Sequence, residues 1–186
     1  DGTLLQAGTV DLRAGDDFAT VGFDVAFDER PAIFSQAQTD ADPDWTTTRQ
    51  SGAGTSGFGI ALQQEEAAHG PAAQETAGWF AIERGTGTWD GRRYEAASTS
   101  STSAWDEFRF SQDFDEGPAL WSSVASFEGG DPATVRWRNL DRNGVDLRAM
   151  EETSADAEIR HVRESLDVFA LEGSGLLSGW AWAEVA

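Results

Sequence analysis

Apolar and polar residues alternate over short stretches along much of the chain, which is the period-2 pattern of half-buried β-strands. Gly, Pro and Asp clusters separate these stretches, as in the turn sequence Asp28-Glu29-Arg30-Pro31. The first half of the chain predicts strands over residues 4–13, 18–27, 32–39 and 45–50. Together with two strands in the stretch that follows, this spacing indicates a six-stranded antiparallel β-sandwich.

That next stretch, Gly57–Glu83, has alternating apolar residues at its start and an aromatic-rich segment at its end. The polar middle contains the breaker Gly70-Pro71. We interpret the stretch as a β-hairpin with a long acidic loop.

The same stretch recurs as Gly144–Glu172, where Phe169-Ala170-Leu171-Glu172 matches Phe80-Ala81-Ile82-Glu83 and Glu164 matches Glu75. Other elements recur at an offset of 87–89 residues, including the turn after Phe114 and an arginine, Arg138, which matches Arg49. The sequence therefore predicts an all-β chain of two tandem six-stranded antiparallel β-sandwiches, over residues 1–88 and 89–186.

Two connecting segments have their own predictions. Trp89-Asp90-Gly91 is expected to turn the chain, and the strongly polar Ser98–Ser103 is expected to be a loop or linker. Gly179–Ala186 reads as an apolar strand that closes the second unit or pairs with a neighbouring one. Because the chain starts at Asp1, we expect a processed product or a segment of a longer protein.

The formal net charge is −20, and all 13 basic residues are arginine. Nucleic acids and anionic membranes need clustered positive charge, so we expect neither as a partner. No apolar run approaches the roughly 20 residues of a membrane span, so we expect no membrane insertion. There are no cysteines, which excludes disulfides and thiolate metal sites. The acidic, lysine-free composition suits an extracellular or cell-surface protein of a salt-adapted or marine prokaryote; the alternative is an acidic cytosolic protein.

Three features occur together in order: the opening Leu5-Gln6-Ala7-Gly8-Thr9-Val10-Asp11, a turn-Pro-strand in mid-unit, and Gly57-Phe58 leading to Trp79–Glu83. Together they resemble the H-type lectin domain, over essentially all of residues 1–84 and more loosely over residues 92–172. The resemblance implies a small six-stranded β-sandwich that often assembles as a trimer and binds N-acetylgalactosamine-type sugars through loops near a subunit interface.

The resemblance also implies a carbohydrate-binding site in each unit. In the first unit it falls on Asp17, Trp45, Arg49 and His69. Trp45 stands where the family has its sugar-binding arginine, and Arg49 stands where the family has a structural arginine. In the second unit it falls on Arg138 and His161.

Each residue also has a structural alternative. Trp45 suits stacking on a sugar face or a place in the core, and Arg49 suits pairing with Glu75 or Glu83. His69 is either a sugar ligand or a solvated loop residue. His161 is either a ligand or a partner of Glu164.

Three aspartates, Asp40, Asp42 and Asp44, alternate as ligands of a calcium loop do, because Ca²⁺ takes several carboxylate oxygens from one turn. The glycine and the closing glutamate of an EF-hand are not at the required spacing, so solvated charge is the alternative. Calcium is the one cofactor that the sequence suggests.

The sequence contains no nucleophile elbow, HExxH or phosphate-binding loop, and we expect no enzymatic activity. The predicted function is an extracellular carbohydrate-binding or adhesion module, with glycans and copies of the chain itself as partners. The alternative is a structural repeat of a surface fibre, filament or viral appendage that binds no sugar.

Overall fold

The computed structural model describes residues 2–173, and over this range it contains strands and no helix. The first six strands form what we call the first unit: β1 (Leu5–Arg13), β2 (Ala19–Gly22), β3 (Ala32–Ala37), β4 (Thr46–Ser51), β5 (Gly57–Gln64) and β6 (Gln74–Ile82). A connecting strand, β7 (Gly85–Trp89), follows. The second unit consists of β8 (Arg92–Ser101), β9 (Asp106–Arg109), β10 (Ala119–Val124), β11 (Ala133–Arg138), β12 (Gly144–Glu151) and β13 (Glu164–Leu171).

All pairings are antiparallel, and the chain forms the predicted all-β sandwich. In the first unit the sheet β1-β6-β3 faces the sheet β2-β5-β4. In the second unit β8-β13-β10 and β9-β12-β11 have the corresponding strand orders. Strand β7 extends the sheet β10-β13-β8 at the β8 edge, so residues 85–88 join a sheet of the second unit. The division at residues 88 and 89 stays a prediction.

Three apolar layers hold these sheets together. Ile33, Ile60 and Ala81 belong to the core of the first unit, whereas Leu147 and Val168 belong to the core of the second. A third layer joins the units. It contains side chains of β3 and β6 on one side and of β8 and β13 on the other, with the members Ala32, Phe34, Ile82, Tyr94, Ala96, Phe169 and Leu171.

The interpretation of Gly57–Glu83 as a hairpin is wrong. Strand β5 is the central strand of one sheet and β6 is the central strand of the opposite sheet, so the loop between them crosses the sandwich. Ile60 of β5 and Ala81 of β6 face the same core from opposite sides. Alternation reports only which side chains are buried, and it is the same for a hairpin and for such an arch.

Two other strand predictions also need correction. Ser98–Ser101 is not a loop, because β8 continues to Ser101 and pairs with β13 along its whole length. Its polar side chains have partners: Ser98 Oγ lies 3.5 Å from an Arg30 nitrogen, and Ser101 Oγ lies 3.0 Å from Asp106 Oδ2. Strand β2 ends at Gly22 rather than at residue 27.

The turn at Trp89-Asp90-Gly91 is confirmed. Trp89 pairs with Arg92, which leaves Asp90 and Gly91 as a two-residue hairpin loop. Both have φ angles in the left-handed region, 52° and 77°, as a type I′ turn requires. The strand predicted over Gly179–Ala186 lies outside the described residues.

Gly57 is required by close backbone contact, since a Cβ added there would lie 2.3 Å from the Val21 carbonyl oxygen. We expect Gly57→Ala to lower the free energy of unfolding by about 1–3 kcal/mol, because the two strands would have to separate. Gly22→Ala is the matched control, because no atom lies within 4 Å of its added Cβ. Urea unfolding followed by circular dichroism measures both variants, and equal stability of the two would contradict the close-contact argument.

Candidate functional site

Three loops of the first unit lie at one end of its sandwich. Arg13, the last residue of β1, faces Gln74, the first residue of β6. Thr46 at the start of β4 faces Gln64 at the end of β5. Because β3 also ends here, with Gln38 N donating to Thr76 O, the loops 14–18, 38–45 and 65–73 share this end.

Trp45 and His69 are on two of these loops, and both side chains are exposed. Trp45 is 42% exposed, and its carbonyl oxygen accepts a hydrogen bond from Glu65 N at 2.8 Å, which ties the two loops together. Asp17 is exposed in the third loop. The structure therefore brings the loops of three predicted ligands to one end of the unit, whereas Arg49 lies elsewhere.

The three predicted calcium ligands do not lie together as a cluster, and calcium binding stays a prediction. Within residues 2–173 no group of three or more His, Asp or Glu side chains could hold a metal ion. Asp42 is buried, and its carboxylate accepts hydrogen bonds from Gln64 Nε2, Ala73 N and Asp44 N, so it organises the loops instead. These bonds outweigh burial, which raises the pKa, and hold the Asp42 pKa below its usual value. Asp40 is exposed.

Asp44 is different, because its Oδ2 is buried and, within residues 2–173, has no hydrogen-bond partner. This oxygen faces the loop 65–73, where a Cβ added to Gly70 would lie 3.9 Å away. Buried carboxylate oxygens normally accept a hydrogen bond, so this unpaired acceptor is unusual. Asp44 directly precedes Trp45 in the sequence.

Arg49 is fully buried between the two units. Its guanidinium donates to Glu164 Oε1 at 2.8 Å and to the carbonyl oxygens of Gly129 and Asp131 at 3.2 and 2.8 Å. It also lies 4.7 Å from the ring centroid of Phe127. The predicted pairing of Arg49 with Glu75 or Glu83 is therefore wrong, because its partner is a glutamate of the other unit.

His161 belongs to the same buried cluster and is 5% exposed. Its Nδ1 lies 2.8 Å from Glu151 Oε1, and its Nε2 lies 3.0 Å from Glu164 Oε1. The predicted pairing of His161 with Glu164 is confirmed. In this position the imidazole is buried by protein and faces two carboxylates.

This buried cluster shifts the pKa values of His161 and Glu164. Burial by itself lowers the pKa of His161, but the hydrogen bonds with Glu164 and Glu151 outweigh it, and the net pKa is raised. For Glu164, burial raises the pKa, but bonds from His161, Ser126 and the amides of Gly129 and Glu128 lower it to about 2. At neutral pH the glutamate is therefore charged and bridges the histidine and Arg49.

The same glutamate position organises a loop in both units. Glu164 accepts from Ser126 Oγ and from the amides of Glu128 and Gly129, which follow β10. Glu75 accepts in the same way from Thr39 Oγ1 and from the amides of Ala41 and Asp42, which follow β3. We call these two residues the clamp glutamates.

The neighbours of the clamp glutamates differ between the units. In the first unit Gln64 at the end of β5 donates to Asp42, and in the second unit Glu151 at the end of β12 faces His161. A Cβ added to Gly129 would lie 2.5 Å from the His161 ring, so the second unit has a glycine where the histidine needs room. The sequence repeat identified Glu75 and Glu164 as equivalent. No pattern in the sequence predicted the roles of Gln64, Glu151 and Gly129.

The strand register shows that Arg138 is not the counterpart of Arg49. Arg49 faces Ala61 across β4 and β5, and the corresponding facing pair in the second unit is Arg136 with Arg148. Arg138 is exposed, donates to Asp146 at 3.0 Å and stacks 4.5 Å from the Trp105 ring. Arg136 is exposed.

A polar groove of about 230 Å³ runs between the two units. Its walls are β3 and β4 of the first unit and β10 and β11 of the second, with mainly hydroxyl and small side chains. One of its lining residues, Thr46, directly follows Trp45 in the sequence. The lining residues are Ser35, Gln36, Ala37, Thr46, Thr47, Thr48, Ser122, Ser123, Val124, Ala133, Thr134 and Val135.

Gln50 connects the two walls of this groove. Its Nε2 lies 3.1 Å from Ser35 Oγ and 3.2 Å from Ser123 Oγ. Its Oε1 is buried and, in the part of the chain that the structure describes, has no partner. The groove therefore lies beside an unpaired amide oxygen.

The chain is 29% identical over 184 residues to Halomucin of Haloquadratum walsbyi, across 96% of this chain and 2% of that protein. No protein-family model and no solved structure matches. Within residues 2–173 no helix is long and apolar enough to cross a membrane.

Replacing Arg49 by alanine leaves the buried Glu164 without its arginine partner. We expect Arg49→Ala to lower the free energy of unfolding by about 3–5 kcal/mol, as for other buried pairs that lose one partner. Arg109→Ala is the control, because the Arg109 side chain is largely exposed, and it should change stability by less than about 0.5 kcal/mol. Similar effects of the two substitutions in urea unfolding would rule out the buried pair as a major contributor.

The raised pKa of His161 makes stability depend on pH. The protonated imidazole stabilises the fold fully below the ordinary histidine pKa of 6.5, and this contribution is lost as the pH rises through the raised pKa. We expect the melting temperature to fall over this range and His161→Gln to remove the fall. His69→Gln is the matched control, because His69 is exposed, and it should keep the wild-type pH profile. An unchanged profile in His161→Gln would contradict the role of the cluster.

Proposed function

We propose that this chain is an extracellular carbohydrate-binding or adhesion module that takes its ligand in the groove between the two units. The observation that carries the proposal is the lining of the groove. Seven of its lining residues are Ser or Thr, supplied by both units, and a glutamine amide lies beside them. Hydroxyls and amides both donate and accept hydrogen bonds, as the hydroxyl groups of a sugar do.

Trp45 and its neighbours complete the proposed site. The 42% exposed indole stands directly before the groove residue Thr46 and offers an apolar face to the C–H side of a pyranose ring. Asp44, directly before Trp45, adds a half-buried carboxylate at the same end of the unit. His69, on the adjoining loop, supplies a second polar group. Asp17 is exposed on a third loop at the same end of the unit. Three predicted ligands have other roles in this proposal. Arg49 and His161 belong to the buried contact between the units. Arg138 stabilises the pairing of β11 with β12.

The composition and the sequence similarity support an extracellular location. The similarity to Halomucin is consistent with a surface or secreted module. A net charge of −20 without lysine agrees with a protein that works in high salt. The chain spans 2% of Halomucin, so the ligand and partners of a parent protein belong to the proposal. The resemblance to H-type lectins makes N-acetylgalactosamine-type sugars the first ligands to test.

One observation favours a structural module as the second candidate. The two units are joined by a buried ion pair and a shared apolar layer, as in a rigid building block. A structural repeat of a fibre or filament needs this rigidity and needs no sugar.

The glycan site is tested with Trp45→Ala. We expect the wild-type chain to bind amino sugars or acidic polysaccharides on a glycan array in high salt, and Trp45→Ala to lose at least tenfold in affinity in solution titration, because the stacking face is removed. Trp137→Ala, which removes another exposed tryptophan, is the matched control and should bind as wild type.

The array is screened with calcium and with a chelator. Because the described residues offer no group that could hold a metal ion, binding should be equal under both conditions. A blank array in both conditions would contradict carbohydrate binding and favour the structural module.

A further inference from the structure

The strand β11 connects the groove with a face of the second unit that carries arginines. Thr134 lines the groove, and Arg136 and Arg138 follow it along β11 with their side chains on the same side of the strand. Neighbouring residues on one side of a strand are about 7 Å apart. Arg136 is therefore within reach of a ligand that contacts Thr134.

Arg148 of β12 belongs to the same face. It lies opposite Arg136 in the pairing of β11 with β12, so both side chains project from the same side of the sheet. The centroid of the Trp105 ring lies 4.4 Å from Cζ of Arg148 and 4.5 Å from Cζ of Arg138, and the ring orients both guanidinium groups. We call Arg136, Arg138 and Arg148 the arginine face.

Two members of the arginine face have no acidic partner in the described chain. Within residues 2–173, seven of the 13 arginines form ion pairs with carboxylates, and one of them is Arg138, which pairs with Asp146. Arg136 and Arg148 form no ion pair in this range, although acidic residues outnumber basic ones by 33 to 13. Like charges directly opposite each other destabilise a sheet. A bound anion would relieve this repulsion between Arg136 and Arg148.

Arg148 also has a donor without an acceptor. Its Nε is buried and, in the part of the chain that the structure describes, has no hydrogen-bond partner. Its Nη2 lies 3.0 Å from the sulfur of Met150, which is a weak acceptor. Arg136 is exposed to solvent. Because a guanidinium group is always charged and donates in a planar fork, these two side chains suit the oxygens of a carboxylate or sulfate group.

We propose that the groove takes an acid-bearing glycan whose carboxylate or sulfate group binds to Arg136 and Arg148. This inference rests on the proposed function and specifies the class of its ligand. A glycan fits better than an acidic peptide because Arg136 follows the hydroxyl-lined groove along the same strand. The net charge of −20 repels polyanions at low salt, but the Debye length is only about 3 Å at 1 M salt. In concentrated salt the local contact with the arginine face therefore determines binding.

Calorimetric titration of the intact chain with three matched hexasaccharides in molar NaCl tests this proposal. The first alternates N-acetylgalactosamine and glucuronate, the second is its neutral methyl ester, and the third is the methyl ester of the sulfated form. We expect at least one of the two acidic hexasaccharides to bind at least tenfold more tightly than the neutral ester. The acidic form that does so identifies the bound group as carboxylate or sulfate.

The variant Arg136→Gln separates the arginine face from the rest of the groove. It should bind the acidic and neutral hexasaccharides equally and keep the wild-type affinity for the neutral ester, because the groove lining is unchanged. Arg109→Gln is the matched control, since it removes the same charge from an exposed side chain of β9, at the opposite edge of this sheet. It should keep the wild-type preference. Circular dichroism confirms that both variants are folded.

The possible results distinguish this proposal from the proposed function. Equal binding of all three hexasaccharides by the wild type would overturn the acid preference and leave carbohydrate binding in place. A preference that persists in Arg136→Gln, or that is lost equally in Arg109→Gln, would also overturn it. No binding of any hexasaccharide would contradict the carbohydrate-binding function and this proposal together.

Discussion

The buried ion pair between Arg49 and Glu164 is the interaction on which the arrangement of the two units depends. Both side chains are fully buried, and removing two charges from water is costly unless their pairing and further hydrogen bonds replace the lost hydration. Here Glu164 also accepts from backbone amides, and Arg49 also donates to two carbonyl oxygens. The carbonyl partners of Arg49 lie on the loop after β10, so folding of that loop and docking of the units are coupled.

Each clamp glutamate holds a loop by accepting hydrogen bonds from its amides, but the two loops have different surroundings. In the first unit Glu75 organises its loop with hydrogen bonds alone, and Asp42 fills the adjoining space. In the second unit Gly129 leaves that space to His161, and Glu164 acquires an arginine from across the interface. The first version leaves the loop end open, with Trp45 exposed; the second version makes a charged core between the units. The proposed groove exists because these two docked units supply its opposite walls.

The sequence predicted the strand content well, because burial alternates with period two along β1 and at the starts of β5 and β6. It could not show that β5 and β6 lie in opposite sheets, because both the arch and the hairpin bury the same side chains. The repeat identified Glu164 as the counterpart of Glu75, but its offset of 87–89 residues allowed Arg138 where the register selects Arg136. The partner of Arg49 lies 115 positions away and depends on docking, which no local pattern encodes. Trp45 and His69 were named from the family resemblance, and their role as sugar ligands stays a prediction.

Native-state hydrogen exchange of the intact chain tests most directly whether the two units form one cooperative body. The informative amide is Ile33 N, which donates to Asp167 of the second unit. The account predicts that this amide exchanges only by global unfolding, with the same free energy as the core amides of β6 and β13. Exchange of Ile33 at a much lower free energy than the cores of the two sandwiches would contradict the account, because the units would then separate while each remained folded.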